Sequence, residues 1–167
     1  MRGQVWADLG AGEGAFTDVL AELLGEGGTV YAIERDRRAL RELGRLAASA
    51  RVVLVEGDFA RDLTLPLLDG LLMANSLHYV RDPAPVLARL AGHLRAGGVF
   101  LIVEYEDRRP SPWVPYPLPL ARLARLCEQL SWPQPRRLAE RPSRYGGRVY
   151  SATLSSGVRD DGRLPQV

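Results

Sequence analysis

The stretch VWADLGAGEGAFTDVL, residues 5–20, sets Gly10, Gly12 and Gly14 between a short apolar run and a helix-like one. Glycines at that spacing keep side chains away from the backbone, and the start of a helix adds partial positive charge. A strand, a glycine turn and a helix in that order favour a nucleotide-like or carboxylate-bearing ligand. Two acids stand at comparable places. Glu34 closes TVYAIE, twenty residues after Gly14, where a carboxylate can accept from both hydroxyls of a ribose. Asp58 and Phe59 close VEGDF, where a carboxylate can accept from an exocyclic amine and a ring can flank an adenine face. Each has a plainer alternative: a packing turn for the glycines, a helix cap for Glu34, and a turn residue for Asp58. Asp36 can serve the cap in place of Glu34.

These residues need elements that bring strand ends to one edge. Val5, Trp6 and Leu9 predict a first strand, and Phe16, Val19, Leu20, Leu23 and Leu24 recur at helical spacing. Strands follow at 29–34, 51–58, 70–75 and 99–105, with helices over 37–50 and 83–94, the latter opened by Asp82-Pro83 and stopped by Gly97-Gly98. Any helix within 59–69 is vestigial. Near-continuous apolar strands alternating with helices imply a parallel sheet covered on both faces. Five of the chain's 12 prolines fall within 106–120 and exclude a regular helix or central strand there. Helical spacing returns over 119–132, and 136–155 reads as two antiparallel strands joined at Tyr145-Gly146-Gly147. The last dozen residues have little to bury and are expected to fray.

Bulk composition narrows the class. The 167 residues suffice for one domain, and 46% hydrophobic content excludes disorder as the main state. No apolar run approaches the roughly 18 residues of a membrane span, and the N-terminus enters the first strand at once, so neither membrane anchor nor signal peptide is expected. Cys127 is the lone cysteine and His78 and His93 the only histidines, which removes an internal disulfide and argues against a metal site. A cytoplasmic domain follows as the expectation. All 22 basic residues are arginine, which reads as coding bias. Residues 1–107 carry net charge −5 and residues 108–167 carry +7. The basic third suits an acidic substrate or partner, or is simply a solvated surface.

The run Asp8-x-Gly10-x-Gly12-x-Gly14 differs from the nicotinamide fingerprint Gly-x-Gly-x-x-Gly. It resembles motif I of the Rossmann-like (class I) S-adenosylmethionine-dependent methyltransferases. The resemblance continues through VYAIERD, VEGDF and LLMANSLHYVRDPAPVLARLAGHLRAGGVFLIVEYE, and covers roughly residues 3–155. It implies an α/β fold: a doubly wound seven-stranded sheet of order 3-2-1-4-5-7-6, strand 7 antiparallel, in three α/β/α layers. The implied cofactor is S-adenosylmethionine, with S-adenosylhomocysteine as product. Gly10, Ala11 and Gly12 would approach its methionyl and ribose parts, with Asp8 beneath the methionyl ammonium. Glu34, followed by Arg35, would hold the ribose, Asp58 the adenine amine, Phe59 the adenine ring, and Asn75 the methionyl group through its backbone.

A methyl group on a sulfonium needs chiefly alignment with its acceptor. His78, three residues past Asn75, is the candidate base if the acceptor arrives protonated; its alternative is a packing or hydrogen-bonding histidine. Tyr79, Glu104 and Tyr105 are further candidates to line the site, and His93 reads as structural or solvent-facing. NSLHY stands where amino- and adenine-directed enzymes carry an Asn/Asp-Pro-Pro-aromatic loop, and the lone cysteine argues against the cytosine and arsenic branches. A small-molecule acceptor is left, with no nucleic-acid platform. One domain over 1–155 lacks the cap helices usual before the first strand, so the cleft is expected to be open unless a homodimer, a partner subunit or the 108–120 loop closes it. Trp113 and Tyr116 are the loop's candidates for contacting the acceptor; a plain connection is the alternative. A non-catalytic methyltransferase-like subunit is the second functional reading, and a nicotinamide oxidoreductase the third.

Overall fold

The computed structural model describes residues 3–44 and 49–156. Seven strands form one sheet: β1 (Val5–Leu9), β2 (Thr29–Glu34), β3 (Arg51–Glu56), β4 (Leu68–Ala74), β5 (Leu94–Tyr105), β6 (Arg136–Pro142) and β7 (Arg148–Ser155). Their order is β3-β2-β1-β4-β5-β7-β6. The first five are mutually parallel, while β7 runs antiparallel to both β5 and β6. The helices are α1 (Ala15–Leu24), α2 (Arg37–Leu43), α3 (Pro83–Ala91) and α4 (Leu120–Gln129), with a 3-10 turn over Leu77–Tyr79. This is the doubly wound sheet and strand order that the resemblance implies.

Strand alternation divides the core in two. Leu71 and Met73 of β4 and Phe100 and Ile102 of β5 point to the face shared with α3 and α4. Leu72 and Ala74 point to the other face, with Val30 and with Leu20 and Ala21 of α1. The helix layers thus lie on opposite sides, and β4, buried along nearly its whole length, is held between them.

Three expectations shift in detail. Helix α1 does not bury its whole apolar stripe: Thr17, Leu20 and Ala21 face the sheet, while Phe16, Val19 and Leu23 are exposed. Small side chains at 17 and 21 sit where the helix meets the sheet, so the larger residues occupy its outer flank. On the same face Leu101 and Val103 of β5 are only half-buried. Secondly, α3 ends at Gly92 rather than at Gly97-Gly98. Those glycines belong to β5, in a bulge where β4 advances from Leu68 to Gly70 while β5 advances from Leu94 to Val99. Thirdly, 59–67 forms no helix at all. Within the helix expected over 37–50, residues 45–48 lie outside the described residues, as does the expected tail from 157 onward.

Candidate functional site

The carboxyl ends of β1, β2 and β4, with the loop after β3, meet around a cavity of about 350 Å³. Of the glycine turn, Gly10 lines it, while Ala11, Gly12 and Gly14 do not. Gly10, Gly12 and Gly14 all adopt positive φ, which L side chains rarely accept. A Cβ added at Gly10 would stand 2.7 Å from Ser76 Cβ, whereas one at Gly12 would meet nothing within 4 Å. Gly10 is therefore needed by the packing, and Gly12 leaves open space before the turn. The backbone donors are not free, contrary to the expectation of N–H groups awaiting a ligand. Gly10 and Ala11 donate to Ile33 O (2.9 and 3.0 Å), Gly14 donates to Ala11 O, and Gly12 donates to Glu34 Oε2 at 2.9 Å.

Glu34 is the clamp of this edge. Its Oε1 accepts from the backbone N–H groups of Arg35 and Asp36, both at 2.8 Å, so the carboxylate is fixed facing the cavity that it lines. Asp36 caps α2 by accepting from Arg38 N, which leaves Glu34 free of that duty. Arg35, Asp58, Phe59 and Asn75 line the same cavity. Asp58 accepts from Ala60 N at 2.9 Å. Arg89 of α3 donates to the carbonyls of Phe59 and Arg61, fixing the loop after β3, a long-range anchor with no local signal in the sequence. Asn75 ends β4 in the left-handed region (φ 53) that Asn tolerates better than most residues. Asn75 Oδ1 and Ser76 Oγ are buried polar atoms without a hydrogen-bond partner, and both residues line the cavity.

Asp8 lies beneath the turn rather than on the cavity wall. It is buried, accepts from Thr17 Oγ1 at 2.6 Å, and has its carboxyl pushed up to about 6, chiefly by burial. The Thr17 hydroxyl opposes that shift, and the charge of Glu34 adds to it. Thr17 was missed by sequence reasoning because its partner lies nine residues earlier.

A second cavity of about 570 Å³ adjoins the first and shares Asn75 and Tyr79 with it. Tyr105, Arg108, Trp113 and Tyr145 also line it. Tyr79, Tyr105 and Trp113 were expected in such a place, as were the arginines adjoining Trp113, of which Arg108 lines the cavity; Tyr145 was not singled out. Tyr116 does not line it. Its backbone N–H donates to His78 O at 3.0 Å.

His78 ties this wall together. Nδ1 lies 2.7 Å from Glu104 Oε2 and Nε2 lies 3.1 Å from the Trp113 carbonyl, with both side chains of the pair buried. A carbonyl can only accept, so Nε2 carries a proton in this contact. In that arrangement both ring nitrogens are engaged, joining β5 to the proline-rich loop, and His78 also lines the second cavity, where the candidate base was expected. The loop is more than a plain connection in another respect. Tyr150 Oη donates to Leu118 O, Glu106 Oε2 accepts from Leu120 N, and Arg122 donates to the carbonyls of Tyr116, Pro117 and Arg81. Cys127 sits in the core, its thiol pushed up to about 11 by burial, far from a nucleophile's range.

This edge is that of a doubly wound nucleotide-binding sheet, and residues 7–100 match the family model described as "Methyltransferase domain". The chain belongs to that family. No curated protein matches it in sequence. Among solved structures it is similar to a SAM-dependent methyltransferase from Aquifex aeolicus (19% identity, 92% of this chain and 84% of that one, TM-score 0.71). It is also similar to an arsenic(III) S-adenosylmethionine methyltransferase from Chlamydomonas reinhardtii (21%, 92% and 63%, 0.71). A third is the plantazolicin methyltransferase BpumL in complex with SAH (13%, 92% and 76%, 0.68). At these identities the likeness is one of fold. No helix among the described residues is long and apolar enough to cross a membrane.

Proposed function

We propose that this chain is a cytoplasmic S-adenosylmethionine-dependent methyltransferase acting on a small molecule held in the aromatic cavity. The observation that carries this is the meeting of two cavities at Asn75 and Tyr79, one polar and one aromatic. The residues fit the cofactor. The open space before Gly12 and the orphaned Asn75 Oδ1 and Ser76 Oγ provide room and unsatisfied polar atoms. Glu34 keeps one acceptor site on Oε2 for a ribose hydroxyl, the other three being taken by the N–H groups of Gly12, Arg35 and Asp36; Asp58 has capacity for the adenine amine, and Phe59 presents a ring for the base. When bound, S-adenosylmethionine supplies a methyl group already made electrophilic by its sulfonium. The chain's own task is to hold the acceptor's lone pair in line with that group, and orientation alone lowers such a barrier by several kcal/mol. With His78 engaged on both ring nitrogens, an acceptor that arrives deprotonated fits the site best.

Calorimetry with S-adenosylhomocysteine tests this. Binding is expected in the wild type and weaker by about 1–3 kcal/mol in Glu34→Ala, because a charged acceptor is removed. NAD should not bind. Unchanged S-adenosylhomocysteine affinity in the variant would overturn the ribose assignment, and preferential NAD binding would overturn the cofactor. A second reading, a non-catalytic partner subunit, is favoured by the exposed Phe16, Val19 and Leu23 beside half-buried Leu101 and Val103. It predicts cofactor binding without turnover until another protein is added.

A further inference from the structure

We infer that the aromatic cavity selects a planar, conjugated acceptor carrying a carboxylate, and that Arg108 is the residue that selects it. The inference rests on the methyl-transfer reading for the cavity's place in the reaction, but its evidence is the cavity itself.

The first line of evidence is the rings. Tyr79, Tyr105, Trp113 and Tyr145 all line one space of about 570 Å³, a volume suited to a small organic molecule. Trp113 is 78% exposed, Tyr145 61% and Tyr79 46%. Three large rings left in water around a single hollow form a surface that gains by covering a flat apolar ligand. An aliphatic chain would fill the volume but would forgo stacking against ring faces.

The second line is charge. No residue lining the cavity is acidic. Asp107, adjacent to Arg108 in the chain, accepts from Arg148 N at 2.7 Å and Arg148 Nε at 3.0 Å, so its carboxylate is engaged elsewhere. Glu104 is buried against His78. The Arg108 guanidinium therefore meets no carboxylate among the described residues. It stands 5.1 Å over the Tyr105 ring, and one of its terminal nitrogens donates to the Tyr145 carbonyl, while its buried Nε has no partner. Stacking satisfies the flat face of the guanidinium, Nε is buried, and the terminal N–H groups not given to Tyr145 are left wanting an acceptor. A carboxylate accepts from those remaining N–H groups in charge-assisted hydrogen bonds, and a cationic amine would be repelled. Flat rings and a guanidinium that no carboxylate neutralises together point to a conjugated acid.

The test uses three probes that share a phenol ring and differ in charge: para-hydroxycinnamate, para-hydroxycinnamide and tyramine. Cyclohexanecarboxylate serves as the non-aromatic acid. Affinities are read by ligand-observed NMR without cofactor, with Trp113 emission reporting the site and Trp113→Phe as its control. The cinnamate is expected to bind at least ten-fold tighter than its amide, than tyramine and than cyclohexanecarboxylate. Arg108→Gln should abolish the preference of cinnamate over amide while leaving amide affinity in place, and Arg108→Lys should restore part of it. Equal binding of acid and amide, tighter binding of tyramine, no binding of any ring probe, or a preference that survives Arg108→Gln would each overturn the inference. S-adenosylhomocysteine binding, measured separately by calorimetry, decides the methyl-transfer reading, so the two can fail independently.

Discussion

Asp8 shows how a single buried carboxyl couples the glycine turn to pH. Its folded-state value of about 6 lies above the 3.8 of an unperturbed Asp. Its contribution to stability is therefore full below pH 4 and is lost as pH rises through 6. A shift of this size corresponds to about 3 kcal/mol. Urea unfolding at pH 5 and pH 7.5 should differ by half of this, about 1.4 kcal/mol, in the wild type and lose that difference in Asp8→Asn; identical pH profiles would assign the dependence elsewhere. Gly12 supports a second expectation. With φ at 57° and no atom near a would-be Cβ, Gly12→Val should strain the backbone by about 1–2 kcal/mol yet leave the domain folded. Its side chain would project into the space before the turn, so S-adenosylhomocysteine binding should vanish while the circular dichroism spectrum is retained. Wild-type affinity in that variant would make the glycine run a packing turn only.

At the scale of elements, the proline-rich segment after β5 becomes a fixed wall through long-range bonds. The buried His78–Glu104 pair is its inner anchor. Removing one partner, as in Glu104→Leu, leaves the other's polar group buried and unpaired, and should lower stability by about 3–5 kcal/mol. The double variant His78→Phe with Glu104→Leu should lose less than the sum of the singles, and Trp113 anisotropy should fall in all three. Additive losses in the unfolding experiments would mean that the two residues act separately. This wall also marks the border of what sequence reading can reach. Strand ends were legible because glycine spacing and the placement of Glu34, Asp58 and Asn75 are local signals, and the strand order followed from a family resemblance resting on them. Five prolines told that 106–120 is irregular, but not that its carbonyls return to His78 and Tyr150, since such bonds span up to 35 residues. The buried face of α1 was not legible for a different reason. Hydrophobicity marks a broad stripe, whereas the small residues Thr17 and Ala21 mark the flank that meets the sheet.

For the molecule as a whole, the two sides of the sheet are unequally dressed. The α3 and α4 side holds the larger core, and the α1 and α2 side leaves Phe16, Val19 and Leu23 in contact with water. Val19→Glu with Leu23→Glu should change unfolding free energy by no more than about 0.5 kcal/mol per site, as surface substitutions do. Light scattering should show reduced self-association at high concentration; a large destabilisation would mean that these side chains pack more closely than their exposure indicates. The sheet order has a consequence in time. β1 is the earliest strand in the chain yet lies at the sheet's interior, between β2 and β4, and its pairing of Trp6 with Gly70 spans 64 residues. On a ribosome adding roughly 5–20 residues per second, β1 waits on the order of several seconds after emerging before β4 exists to cover its open edge. The nascent chain holds that edge unpaired throughout the interval, which exposes it to misassociation and to capture by chaperones until β4 has emerged.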